Sequence, residues 1–294
     1  DDLRQADVLI QIVDCSGTTD LEGNMVEGAD PLDEIKFLKN ELHHWIGEIV
    51  VRNWSRSARA VEAGEKIENF LSERLAGLKF TREQVILSLR KANISKPVMH
   101  WGSEEGLALA GYLQEIGKPI VIAANKADIS SKDNIEKLDK ASAIITAADY
   151  ELALKNATKA GLITYNSGDS DFSLNDEGQL NDGQKKALET IRQFLKENGS
   201  TGVQNCIETA VLEKLDLIAV YPVEDETHFT DSQGRVLPDA YLVPRESTAY
   251  DLAYKVHTDI GDSFIRAIDC RSKRIIGKDY ELQDGDIIKI VAGS

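Results

Sequence analysis

Four consecutive residues, Asn125-Lys126-Ala127-Asp128, bring together three side chains able to recognise a purine base. A carboxylate can accept two hydrogen bonds at once. Guanine offers a matched pair of donors on one edge, its ring N–H and its exocyclic amine, and adenine offers no such pair there. A Lys stem can lie flat along a base as an apolar platform. An Asn amide donates and accepts, so it can tie a base-binding loop to its neighbours. As a bare pattern, N-K-x-D recurs by chance and also describes a polar strand-to-helix turn with Asp128 near a helix start. Its position is what gives it weight. It directly follows Pro119-Ile120-Val121-Ile122-Ala123-Ala124, a short apolar run that reads as a buried strand. Ligands of open α/β sheets sit at the carboxyl ends of their strands.

Other elements must hold that loop in place. Residues 6–14, with Val8-Leu9-Ile10 and Ile12-Val13, read as a second buried strand closed by Asp14 and a Ser-Gly turn. Ala143-Ile144-Ile145-Thr146 reads as a third, weaker one. Near-continuous apolar strands separated by helices predict a parallel sheet covered on both faces. Between the first two strands the chain is too long for one crossover helix. Apolar residues recur at helical spacing through Ile35, Leu38, Leu42, Trp45, Ile46 and Ile49, and again through Ile67, Phe70, Leu71, Leu75 and Leu78. Thr81-Arg82-Glu83-Gln84 has the form of a capping box. Ser103 is expected to cap a last helix that ends at Gly117. This reads as an inserted all-helical subdomain. Helical patterns follow at 149–160, 184–197 and 203–215. From Leu217 short β-rich segments at 217–223, 236–243, 263–269 and 287–291 surround one helix capped near Ser247, an α+β unit.

Bulk properties narrow the function. The formal charge of −16 repels phosphate backbones, which argues against broad RNA or DNA binding. No apolar run is long enough to span a bilayer, and Asp1-Asp2-Leu3-Arg4 is unlike a signal peptide. Cys15, Cys206 and Cys270 form no C-x-x-C pair and no disulfide framework, which fits a reducing cytoplasm. Rival chemistry is weak. His43 and His44 are helix neighbours diverging by about 100°, so they cannot share an ion as an i, i+4 pair can. Asp169-Ser170-Asp171 lacks the terminal Glu of a calcium loop. Asp14-Cys15-Ser16 has no partnered base for nucleophilic catalysis. Trp45, Trp54 and Trp101 are assigned to the helical core, with Trp54 the one expected nearest to solvent between Arg52 and Arg56.

Taken together, residues 1–7, the strand to Val13-Asp14, Thr19-Asp20, the helical insert, Asn125–Asp128 and Gly199-Ser200-Thr201-Gly202 resemble the YchF branch of the Obg-class GTPases, in its archaeal form. The resemblance spans essentially the whole chain. Ser247-Thr248, Asp251, Val256-His257, Asp259 and Asp284-Gly285-Asp286-Ile287 are similar to a TGS domain, a β-grasp module. It implies an α/β fold: a partial P-loop GTPase sheet from residues 1–30 and 118–215, a helical insert from 31–117, and the TGS domain from 216–294. It implies nucleotide contacts at Asn125, Lys126 and Asp128, and at Thr146, Ala147 and Ala148. The latter stand where GTPases keep a Ser-Ala loop whose backbone N–H meets the guanine oxygen, a form from which Ala147 departs. It implies GTP with Mg2+, slow GTP hydrolysis, and a translation-associated switch that engages ribosome or RNA through the TGS domain. Alternatives are an ATPase of the same family, or an RNA- or protein-binding module with an inactive nucleotide fold. No G-x-x-x-x-G-K-[ST] occurs in the 294 residues. The phosphate cradle, the Mg2+ ligand and the catalytic residues are therefore expected upstream of Asp1. YchF proteins of bacteria and eukaryotes usually alter N-K-x-D and favour ATP; the intact motif implies GTP.

Overall fold

The computed structural model describes residues 2–175 and 180–293, apart from the Ser57 side chain. Two compact units divide the chain, Asp1–Ala210 and Val211–Ser294.

In the first unit, a short helix α1 (Asp2–Gln5) leads into β1 (Leu9–Asp14). β1 pairs in parallel with β2 (Ile120–Asn125), Leu9 opposite Ile120 and Asp14 opposite Asn125. β3 (Ile144–Ile145) pairs in parallel on the far side of β2, in the order β1-β2-β3. The third strand is thus shorter than its apolar run predicts. β1 is also not covered on both faces. Its residues alternate, with Gln11 and Val13 buried while Ile10 and Ile12 are 41% and 67% exposed. One face of the strand is covered and the other open, and alternation is what such a strand shows.

Between β1 and β2 lie α2 (Pro31–Val51), α3 (Trp54–Glu62), α4 (Ile67–Leu75), α5 (Arg82–Ala92) and α6 (Ser103–Gly117). Asp30 caps α2 by accepting from the Leu32 N–H, with Pro31 at the first helical position. The capping box at Thr81 and Gln84 forms at the start of α5. The cap of α6 is Gly102 rather than Ser103, its N–H donated to Glu105 Oε2 at 2.7 Å. α2 and α6 pack through Gly47 and Gly106; a Cβ on Gly106 would stand 2.9 Å from the Gly47 carbonyl oxygen. Trp54 is buried, contrary to its expected place near solvent. It stacks on Trp101 at 5.3 Å and donates its Nε1–H to Val98 O at 2.7 Å. Arg52, which caps the end of α2, and Arg56, in α3, are themselves exposed.

After β2 come α7 (Lys132–Lys140), α8 (Ala148–Lys159), a small hairpin of β4 (Ile163–Thr164) and β5 (Ser173–Leu174), α9 (Asp182–Asn198) and α10 (Val203–Glu208). α10 continues as a π-helical turn over Thr209–Lys214. The second unit is a five-stranded mixed sheet made of β6 (Leu217–Val223), β7 (Tyr241–Pro244), β8 (Phe264–Asp269), β9 (Arg274–Ile276) and β10 (Ile287–Ala292). Its order is β7-β6-β10-β8-β9, with β10 parallel to β6. α11 (Ala249–Val256), capped by Thr248 and Asp251, packs on it together with the short α12 (Thr258–Asp262). Among the described residues no helix is long and apolar enough to cross a membrane.

Candidate functional site

The carboxyl end of β2 carries the site. Asn125 is the last residue of the strand, and Lys126 then takes a left-handed conformation (φ 62°) that turns the chain into a 3-10 helix over Ala127–Ile129. A non-glycine residue held there costs roughly 1 kcal/mol or more, and such strain is kept where something else over-determines it. Two contacts do so. The Lys126 ammonium lies 2.8 Å from Asp14 Oδ2, across the β1–β2 register. The Ala127 N–H donates to Thr146 O at 3.1 Å.

Asp14 gathers most of the polar chemistry beside the loop. Oδ1 accepts from the Ser16 N–H at 3.0 Å and from its hydroxyl. Oδ2 accepts from Thr18 at 3.0 Å and Thr19 at 2.7 Å, besides Lys126. Burial alone would raise the pKa of this carboxyl. The hydrogen bonds from Lys126, Ser16, Thr19 and Thr18 outweigh that and hold it well below the usual carboxylate range. Asp14-Cys15-Ser16 is thus an anchor rather than a reactive triplet. Burial pushes the Cys15 thiol up, away from nucleophilic thiolate.

On the other side of β2, Asn125 Oδ1 accepts from the Ala148 N–H at 3.0 Å, and Thr146 N–H donates to Ala124 O at 2.9 Å. The structure therefore brings Asn125, Lys126, Thr146, Ala147 and Ala148 together. It also shows that the amides of Ala147 and Ala148 are both in use, since Ala147 N–H donates to Thr201 O at 2.9 Å. The Thr146 hydroxyl turns inward to Ile144 O. Asp128 stands apart from these residues. Its half-buried carboxylate has no hydrogen-bond partner among the described residues, and it lines a depression of about 490 Å3 with Tyr150, Thr190 and Phe194. Asn125 and Lys126 instead line a groove of about 600 Å3 with Asp14, Thr19, Asp20 and Glu34.

Three features escaped the sequence reading. The Asp14–Lys126 pair joins residues far apart in the chain, and only the strand register reveals it. Glu151 and Tyr165, which meet behind the Thr146 loop, belong to no recognisable spacing. Lys118 is buried just ahead of β2, donating to Arg4 O and Ala6 O at 3.0 and 2.7 Å. Among the described residues, no group of three or more His, Cys, Asp or Glu side chains could hold a metal ion. His43 instead packs beside Gln114 on the helical segment, and Asp171 pairs with Arg192 at 2.9 Å.

Comparison with known proteins gives this geometry its context. Residues 123–225 match the Obg-like GTPase YGR210-like, G4 motif-containing domain, and residues 228–292 match the TGS domain. An uncharacterized GTP-binding protein of Methanocaldococcus jannaschii is 47% identical over 299 residues, covering all of this chain and 75% of that protein. The crystal structure of a GTP-binding protein from Pyrococcus horikoshii superposes with a TM-score of 0.78 at 38% identity, covering 100% of this chain and 80% of that one. The YchF GTPase of Schizosaccharomyces pombe, at a TM-score of 0.54 and 17% identity over 99% of this chain and 73% of that one, shares the fold. The chain belongs to the Obg-like GTPase family, of the YGR210-like kind, and carries a TGS domain toward its C-terminal end.

Proposed function

We propose that this protein is a GTP-dependent switch whose guanine-reading half is built from Asn125, Lys126 and Asp128, with Thr146, Ala147 and Ala148 bracing them. The observation that carries the reading is the contrast between Lys126 and Asp128. Lys126 is tied down by Asp14 at 2.8 Å, which holds its stem in one course beside the loop, while the Asp128 carboxylate, two residues on, is left without a partner. A fixed platform and an unspent bidentate acceptor are what guanine recognition needs. Asn125 contributes its amide: with Oδ1 engaged by Ala148, the Nδ2 donors remain for the base. A guanine oxygen approaching the 146–148 loop would share an amide now used internally.

In this reading residues 1–30 and 118–215 form the G-domain part and 31–117 a helical insert. Residues 216–294 form a TGS domain that docks on ribosome or RNA, in the cytoplasm. Hydrolysis is slow, and the phosphates and Mg2+ belong to residues outside these 294. Among the described residues no cluster of three or more carboxylate, His or Cys side chains offers that ion a site. Calorimetric titration of the full-length protein with GTP and ATP tests the reading, with GTP expected to bind far more tightly. Equal affinities would remove guanine reading; a preference for ATP would favour the adenine-nucleotide alternative.

A further inference from the structure

Gly199-Ser200-Thr201-Gly202 lies far from the N-K-x-D motif in sequence, yet it is pressed against the loop that braces it. Gly202 is left-handed (φ 79°), and a Cβ there would stand 2.0 Å from Ile145 O and 3.0 Å from Thr146 Cα. Thr201, fully buried, is held from two sides. Its carbonyl accepts from Ala147 N–H at 2.9 Å, and its hydroxyl donates to Glu151 Oε2 at 2.6 Å. The same oxygen accepts from Tyr165 at 2.7 Å, and burial together with that bond pushes the Tyr165 hydroxyl up to about 12. Glu151 is 4% exposed, and its Oε1 has no partner among the described residues. Burying a carboxylate with one oxygen unpaired is expensive, and apolar packing would stabilise the spot at lower cost. What the carboxylate does supply is direction. From Glu151 the contacts run to Thr201, to Ala147, and through the neighbouring Ala148 N–H to Asn125 Oδ1.

We infer that Glu151 and Thr201 are positioning residues for base recognition: they lock the 146–148 loop so that Asn125 keeps its oxygen inward and offers its Nδ2 to the ligand. This rests on the proposal that Asn125–Asp128 receives guanine. Neither residue touches the base. Their action should therefore be felt on the oxygen side of guanine, away from the donors read by Asp128.

The test uses full-length protein, fluorescent GDP, and competition by GDP and 6-thio-GDP, which keeps both Asp128-facing donors but weakens the acceptor at position 6. Thr201→Val removes the hydroxyl at nearly constant shape, Thr201→Ser restores it, and Tyr165→Phe removes the other donor to Glu151. Thr201→Val is expected to weaken GDP binding about tenfold, the size of one oriented hydrogen bond, and to narrow the preference for GDP over 6-thio-GDP. Thr201→Ser should stay within about twofold of the parent. Tyr165→Phe should lower the Tm as much as Thr201→Val does while leaving GDP affinity in place. Glu151→Gln, which keeps an acceptor oxygen but loses its charge, should move affinity the same way by a smaller factor and reads the effect even if Thr201→Val does not fold. A parent that binds no guanine nucleotide sinks the base-reading proposal and this inference with it. A parent that binds, with Thr201→Val or Glu151→Gln unchanged in affinity and selectivity, overturns the positioning role alone. Affinity lost in proportion to Tm across Thr201→Val and Tyr165→Phe assigns these residues to stability and overturns it too.

Discussion

The two sheets of this molecule handle polar groups in opposite ways. In the first unit, five of the ten buried polar side chains among the described residues, Asp14, Thr146, Glu151, Ser200 and Thr201, lie around the carboxyl ends of the strands. In the second unit, Ser247 is the one buried polar side chain among the described residues, and the core of Ile218, Val220, Val243, Leu252, Ala267 and Ile288 is apolar throughout. Buried polar groups are costly unless satisfied, and they are kept where orientation matters more than stability. The first unit therefore works from within, by holding a loop in one shape. The second has only its surface to work with: charged turns, and exposed apolar residues such as Ile265 and Ile275.

The sharpest way to break that comparison is at Asp128. Asp128→Asn replaces a bidentate acceptor with an amide, whose donor suits the exocyclic oxygen of xanthine. GDP affinity should fall by a factor on the order of 10³ or more while xanthosine diphosphate affinity rises, measured by competition on the full-length protein. A variant that still prefers GDP would show that the loop does not read the base through this residue. Gly202→Ala tests whether the interior bracket tolerates any slack. A Cβ overlapping Ile145 O on a left-handed residue should cost about 3 kcal/mol in denaturant unfolding, whereas Gly285→Ala in the second unit, left-handed but with open space around it, should cost only about 1 kcal/mol.

Asp14→Asn comes next in size. It should lose about 2 kcal/mol near neutrality, since hydroxyl and ammonium donors would then face a weaker, partly mismatched acceptor. The pH dependence has a definite sign. A carboxyl held below its unfolded value stabilises the fold fully above about pH 4, and that contribution is lost as pH falls toward the folded value. The gap between parent and variant should accordingly narrow below pH 4; a constant gap would show that Asp14 acts through shape alone. The smallest effect is expected in the second unit. Arg271, Lys273 and Arg274 sit at the β8–β9 turn and Lys278 in the turn after β9, but Lys273 already donates to Glu226 O. On the proposed ribosome docking, replacing all four with Ala should reduce the salt slope of co-sedimentation by about two to three, less than the roughly 3.6 that four free phosphate contacts would give. Nucleotide affinity should not move.

Much of this was legible in the sequence where the physics is local. The Thr81–Gln84 capping box needs only four residues, and it forms as spaced. The N-K-x-D loop follows its strand because an apolar run and a polar turn are both short-range signals. What could not be read depends on partners that the fold supplies. Ile12 looks like core in a row of aliphatic residues, and only the packing leaves its face of β1 open. Trp54 looks exposed among arginines until Trp101 and Val98 arrive to cover it. Ser103 looks like a cap, yet Glu105 reaches one residue further to the Gly102 amide. Thr146 carries a hydroxyl in the right place, which turns away from the site to Ile144 O.

The pairing of Asp14 with Asn125 has a consequence for how this chain finds its fold. The central parallel contact joins residues roughly 110 positions apart, and closing so long a loop through flexible chain is slow and entropically costly. The helices between the strands change that arithmetic. Once α2 and α6 lie together at Gly47 and Gly106, only about 20 residues outside them stay flexible, and the closure penalty falls by about 1.5 kcal/mol. The helical segment is thus a splint for assembly: substitutions that widen the Gly47–Gly106 contact should slow the arrival of β1 on β2, even at temperatures where the finished protein tolerates them.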